Sequence, residues 1–363
     1  MSQKRVKIIL SGGGTGGHIY PAIAVANELK VLLPEVEILF VGAKGKMEME
    51  KVPKAGYRIV GLPIAGMHRG EILRNLLLPF KLILSIFKAM FVLKSFNAKV
   101  VVGFGGYASG PLLKVAQLMG KPVVLQEQNS FAGVTNKMLA KKAKAVCVAY
   151  DGMEQFFPKD RIHFTGNPVR KDIYTNQVSK LKALRSFGLD ENKPTLLVLG
   201  GSLGARTVND AVAHGIELFR KNGIQVLWQT GKMYVEELEH FESSDVRVRD
   251  FIYNMDHAYA AADLVVSRAG ALSVSELCLA KKPTILVPSP NVAEDHQTKN
   301  AQALEKEDAA ILIKDDVAKQ QLSDKVVSLI LDKERLAQLS DNIERLGRPD
   351  AATDIAKKVI ELI

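Results

Sequence analysis

Apolar runs of four or five residues recur along the chain, each bounded by Gly, Pro or charged positions and followed by a longer stretch with helical spacing of its apolar residues. The first set lies at 7–10, 38–41, 100–103, 123–126 and 145–149, and the second at 195–199, 225–229, 246–250, 264–267, 284–287 and 310–313. The runs are too short for helices and too continuously apolar for strands with one wet face, as expected of strands covered by helices on both sides. The alternation therefore predicts βαβ units and parallel sheets. Between the sets, Phe164-Thr165-Gly166-Asn167-Pro168-Val169 reads as a linker. The pattern predicts an α/β protein of two doubly wound domains, 1–165 and 166–346, with a cleft between them, and a last helix within 347–363. In such sheets ligands sit at the carboxyl ends of the strands.

The remaining composition bounds this picture without altering it. At 363 residues, 47% hydrophobic and 24% charged, the chain is an ordinary globular protein of about two domains. Cys147 and Cys278 stand in unrelated contexts and read as buried thiols of a reducing compartment. The apolar run after Lys4 and Arg5 stops at Ser11-Gly12, short of the roughly 7–15 residues of an export signal, so a cytosolic protein is expected. Charge is uneven: 23 Lys and Arg face 10 Asp and Glu over residues 1–165, against 26 and 29 over the rest. A basic first half suggests an anionic partner. Nucleic acid fits poorly, because that half lacks aromatic residues interleaved with its cations.

Residues 72–96 form an unusual stretch. Arg74, Lys81 and Lys88 recur every seven residues while the other helical faces are almost wholly apolar, and no uncharged run exceeds six residues. A membrane span needs about 20. The pattern fits a helix lying in a membrane interface, or a crossover helix packed on the sheet with one wet stripe.

Three glycine-rich turns each join a strand to a helix: Ser11-Gly12-Gly13-Gly14-Thr15-Gly16-Gly17-His18, Gly103-Phe104-Gly105-Gly106-Tyr107-Ala108, and Gly200-Gly201-Ser202-Leu203-Gly204-Ala205-Arg206. Close backbone approach and free N–H groups at a helix start favour a phosphate-bearing ligand. Gly12, Gly14 and Gly17 match the dinucleotide fingerprint, but the second strand ends at Val41-Gly42-Ala43-Lys44 without the acid that binds the ribose. His18 stands where a P-loop would carry Lys. At a helix start, which favours the neutral imidazole, it suits general-base chemistry. Gly200-Gly201-Ser202-Leu203-Gly204 also fits a nucleophile elbow, and a hydrolase could use Ser202, Asp263 and His296. Ser273 and Glu276 have capping-box spacing, although the carboxylate could instead accept two ribose hydroxyls. No metal-ligand motif is present, and Asp315-Asp316 reads as a solvated turn.

With its continuation Ile19-Tyr20-Pro21-Ala22 and with Gln126-Glu127-Gln128-Asn129, Gly166-Asn167-Pro168-Val169-Arg170 and Gly270 to Glu276 in order, the chain resembles the MurG family of glycosyltransferases, family 28. The resemblance implies a GT-B fold with an amino-terminal acceptor domain, a carboxyl-terminal UDP-sugar domain and a last helix crossing back to the first. It implies inverting transfer of N-acetylglucosamine from UDP-N-acetylglucosamine to undecaprenyl-diphosphate-muramyl-pentapeptide, with no cofactor or metal, at the cytoplasmic face of an anionic membrane. The residue matching the proposed base is His18. Thr15, Gly16, Gly17 and Asn129 match donor contacts of the first domain, and Arg170 and Ser202 match residues near the diphosphate and sugar. Ile252 falls where the backbone holds uracil. Ala271, Leu272, Ser273, Val274, Ser275 and Glu276 form the nucleotide turn, with Glu276 on the ribose. Gln297 matches a reader of the sugar hydroxyls, although some members carry two glutamines where this chain has His296-Gln297. Tyr107 is a candidate for the acceptor side. Two other readings keep the same donor half: a transferase using another lipid acceptor such as diacylglycerol, and a non-catalytic UDP-sugar sensor.

Overall fold

The computed structural model describes residues 5–66, 77–175 and 178–363. The chain divides into two compact units, Met1–Val169 together with Asp350–Ile363, and Arg170–Pro349.

The first unit is built on a seven-stranded sheet: β1 (Lys7–Ser11), β2 (Glu37–Ala43), β3 (Arg58–Leu62), β4 (Val100–Gly103), β5 (Val123–Glu127), β6 (Ala145–Val148) and β7 (Ile162–Phe164). The order is β3-β2-β1-β4-β5-β6-β7, every pair parallel. The period of two sends Ile9, Val101 and Leu125 to one face, against Leu93, Phe96 and Leu112. Ile8, Leu10 and Val102 point to the other, against Val25 and Leu29. On that second face the last helix, Ala351–Ile360, buries Ile355, Ala356 and Val359. Thr353 Oγ1 donates to the buried Glu28 carboxylate, to Oε1 at 2.9 Å. The apolar pattern did not predict β3 or β7, and residue 164 closes a strand instead of opening the linker.

The helix Leu78–Phe96 is the crossover from β3 to β4. It turns Ser85, Ala89, Val92, Leu93 and Phe96 inward, while Phe80, Ile83, Leu84, Phe87 and Phe91 are exposed, Phe91 at 72%. The outer face is thus apolar, and Lys88 Nζ donates to Gly61 O at 2.8 Å at the sheet end. Residues 72–76, including Arg74, lie outside the described residues. No helix among the described residues is long and apolar enough to cross a membrane.

The second unit carries a six-stranded parallel sheet ordered β10-β9-β8-β11-β12-β13, comprising β8 (Thr195–Leu199), β9 (Gln225–Gln229), β10 (Val246–Arg249), β11 (Leu264–Ser267), β12 (Thr284–Leu286) and β13 (Ile311–Leu312). Trp228 is fully buried in its core beside Val198, Val212, Phe219 and Val326. Its indole N–H donates to Asn209 Oδ1 at 3.0 Å. In both units the strand order reverses at a central pair, β1 with β4 and β8 with β11. At such switch points the turns after the two strands diverge and leave room for a ligand.

Candidate functional site

In the first unit β1 ends in the turn 12–15, and the helix Gly16–Leu32 starts from Thr15. Half-buried His18 sits in the first turn, its Nδ1 3.1 Å from Gly13 O and 3.1 Å from Thr15 Oγ1. A carbonyl only accepts, so Nδ1 carries the hydrogen and Nε2 is the basic nitrogen. The second glycine turn, after β4, lies directly against it. A Cβ at Gly105 would come within 3.2 Å of Nε2, and one at Gly106 within 2.4 Å of Gly13 O. Gly106 also has φ +79°, so only glycine fits.

A carboxylate that motif reading missed lies beneath the first turn. Glu48, wholly buried at the start of the helix Glu48–Lys54, accepts from Gly14 N at 3.2 Å and Ala43 N at 2.9 Å. The amide that a phosphate would meet in a dinucleotide turn is therefore bound to an internal anion, a second departure from that fingerprint beyond the missing ribose acid. The half-buried Tyr107 phenol is raised above its ordinary pKa by burial, with the nearby Glu48 charge adding to it.

Asn129 is held by a second buried carboxylate. Glu127 accepts from Asn129 N at 3.2 Å and Nδ2 at 3.4 Å, from Gly133 N at 3.0 Å and from Asn136 Nδ2 at 2.9 Å. Burial pushes its carboxyl above the ordinary range, and these donors pull it back. Gln128 Nε2 donates to Phe104 O at 2.8 Å, which ties this segment to the second glycine turn.

In the second unit the turn 200–205 follows β8 and leads into the helix Arg206–Lys221, leaving Ser202 exposed. Gly204, at φ +89°, packs so closely on the segment after β9 that a Cβ would meet Thr230 O at 2.3 Å. Asn209 Nδ2 fixes that same carbonyl at 3.0 Å, and Lys232 N donates to Ser202 O at 3.3 Å. After β11 the helix Ala271–Leu279 starts from Gly270, in extended conformation and without a side-chain cap. Ser273 is thus inside the helix, and no capping box forms. Glu276 lies one turn on and accepts from the buried Tyr259 hydroxyl at 3.1 Å. Burial raises its carboxyl to about 7, opposed first by the positive charge of Arg170 and then by the Tyr259 bond. Arg170 is exposed and 3.8 Å from Asp172. Ile252 N donates to Gln229 Oε1 at 2.9 Å, and Gln297 Oε1 accepts from Ser289 N at 2.9 Å.

Two expectations fail on geometry. Asp263 accepts from Thr195 N, at the start of β8, while Ser202 follows its end. Four residues of strand, about 13 Å, separate them, so Ser202 and Asp263 cannot belong to one Ser-His-Asp arrangement. Asp315 is no solvated turn: it accepts from Arg268 and, at 2.9 Å, from Thr207 Oγ1. Arg268 also donates to Val287 O at 3.0 Å and Pro288 O at 3.2 Å, and Asn300 Nδ2 to Ala269 O at 3.2 Å. These residues brace the turn before Ala271, and none stands in a local motif.

The glycosyltransferase family 28 N-terminal domain model matches residues 8–148, and the family 28 C-terminal domain model matches residues 195–355. The chain is similar to the UDP-N-acetylglucosamine–N-acetylmuramyl-(pentapeptide) pyrophosphoryl-undecaprenol N-acetylglucosamine transferase of Phocaeicola vulgatus, with 54% identity covering 99% of this chain and 97% of the relative. The transferase of the same name from Bacteroides fragilis is 53% identical, covering 98% and 96%. Among solved structures, MurG of Acinetobacter baumannii superposes with a TM-score of 0.79 at 27% identity, covering 98% of this chain and 99% of that one. With two Rossmann-like units of GT-B type and full-length identity at this level, the chain belongs to the MurG transferases of glycosyltransferase family 28.

Proposed function

We propose that this protein transfers N-acetylglucosamine from UDP-N-acetylglucosamine to the 4-hydroxyl of the muramyl unit of undecaprenyl-diphosphate-muramyl-pentapeptide, a step of peptidoglycan synthesis. The observation that carries the reading is 54% identity over 99% of the chain with a transferase named for that donor and acceptor. In this reading Nε2 of His18 takes the proton of the 4-hydroxyl as its oxygen attacks C1 of the sugar. The new O–C1 bond forms on the face opposite the breaking bond to the diphosphate, and UDP leaves with the electron pair. The turn at Ser202, with its helix start and Arg170, holds the growing diphosphate charge. Glu276 accepts the ribose hydroxyls within the turn Ala271, Leu272, Ser273, Val274 and Ser275. The carbonyl of Ile252 reads the uracil, since its N–H is already given to Gln229. Gln297 keeps its amide hydrogens for the sugar while Ser289 fixes its oxygen. Thr15, Gly16, Gly17 and Asn129 complete the donor contacts.

The acceptor is an anionic lipid, and two features support docking at the cytoplasmic face of an anionic membrane: the excess of cations in residues 1–165 and the exposed apolar face of Leu78–Phe96. Exposed Leu118, Val134 and Met138 lie on two further helices, one packed on Leu78–Phe96 and the next packed on that one.

The test is UDP release with the muramyl lipid as acceptor, set against diacylglycerol and no acceptor, for the native protein and His18→Ala. Turnover confined to the muramyl lipid, and reduced about 100-fold or more in His18→Ala with UDP-N-acetylglucosamine binding retained, is expected. Equal turnover with diacylglycerol would reassign the acceptor, and near-normal turnover of His18→Ala would remove the base.

A further inference from the structure

The peptide unit joining Gly13 to Gly14 is bonded at both polar ends. Its N–H donates to Glu48 Oε2 at 3.2 Å, and its carbonyl accepts from His18 Nδ1 at 3.1 Å. A peptide is planar and conjugated, so a carboxylate drawing on the N–H adds negative charge to the oxygen of the same unit. Hydrogen bonds linked in this way strengthen one another. Glu48 has no exposed surface, and its other oxygen is held by Ala43 N at 2.9 Å, so its position is set by β2 rather than by solvent. The close fit leaves no room for adjustment: a Cβ at Gly13 would fall 2.1 Å from Glu48 Oε1, and one at Gly42 would fall 2.6 Å from Glu48 Cγ.

We propose that Glu48 is a positioning residue for His18, acting through the Gly13–Gly14 peptide to keep Nδ1 protonated, Nε2 the proton acceptor, and the imidazolium stabilised once the proton has moved. In a Ser-His-Asp triad the carboxylate bonds Nδ1 directly. Here a backbone amide stands between the two. The arrangement also explains why a glycine turn of dinucleotide spacing carries a buried acid against its own amide. Among the described residues, Tyr107 from the second glycine turn and Tyr20 from the helix Gly16–Leu32 also border this region, and Glu127 lies behind Asn136.

This inference rests on His18 as the base, and the experiment separates the two. Glu48→Gln keeps the size of the side chain but offers only one oxygen to two N–H groups. The pH profile of kcat/KM is measured for the native protein, Glu48→Gln and His18→Gln, with UDP-N-acetylglucosamine binding and Tm alongside. For Glu48→Gln, a 10–100-fold loss of kcat/KM is expected, with its acid limb moved to lower pH and donor binding unchanged. A rate within twofold of native on an unmoved limb overturns the relay. Turnover retained in His18→Gln overturns the base, and the relay with it. Should Glu48→Gln fail to fold, 15N spectra of histidine-labelled native protein at pH 8 decide: hydrogen on Nδ1 of His18 supports the relay, and hydrogen on Nε2 overturns it.

Discussion

In the proposed donor site, Glu276 would tie donor binding to pH. Its carboxyl is raised to about 7 chiefly by burial, while a ribose diol needs the ionised form, which offers acceptors to both hydroxyls. Affinity for UDP-N-acetylglucosamine should therefore fall as pH drops from 8 to 6, and calorimetric titration across that range checks it. Stability runs the opposite way. The folded protein holds this proton more tightly than the unfolded chain does, so the benefit is complete below about 4.5 and is lost as pH rises to about 7. Glu276→Gln should accordingly melt higher than the native protein above pH 7 and bind the donor more weakly. Tyr259→Phe removes the donor that favours the carboxylate, so the midpoint of the binding profile should move up in pH. An unmoved midpoint would show that the Tyr259 bond does not govern this titration.

At the scale of elements, the helix Leu78–Phe96 buries Ala89, Leu93 and Phe96 yet leaves Phe87 at 64% and Phe91 at 72% exposure. Because these rings make little core contact, replacing both with Asp should change stability by no more than about 0.5 kcal/mol at each site. The same change should abolish sedimentation with vesicles containing phosphatidylglycerol and leave UDP-N-acetylglucosamine binding intact. Unaltered vesicle binding would refute docking through this face. The inner strands were legible in the sequence because they are covered on both sides and are therefore continuously apolar. The two edge strands of the first sheet escaped for the converse reason: β3 opens on Arg58 and carries Gly61, and β7 is three residues long with His163 at its centre. The glycine turns were legible because close backbone approach leaves a mark in the local sequence. Glu48 and Asp315 were not, since each acts on partners brought to it by the fold. Glu48 meets Gly14 from 34 residues away, and Asp315 meets Thr207 across 108.

At the scale of the whole molecule, the two units differ in how the chain completes them. Arg170–Pro349 is one continuous stretch, whereas the first unit takes its last helix from Asp350–Ile363, after the second has been traversed. That helix supplies Ile355, Ala356 and Val359 to the face of the sheet beneath the helix Gly16–Leu32, and Ile355 has no exposed surface. Ile355→Ala should cost about 2–5 kcal/mol, as for other wholly buried aliphatic truncations. The loss should fall on the first unit alone, because no residue of Arg170–Pro349 belongs to that core cluster. Calorimetry of the variant should show one transition moved to lower temperature and a second that still rises on adding UDP, the ligand proposed for the second unit. A single transition shifted as a whole would mean that the two units unfold as one. The first unit's glycine turns, and the peptide between Glu48 and His18, would then depend on a core extending through the entire chain.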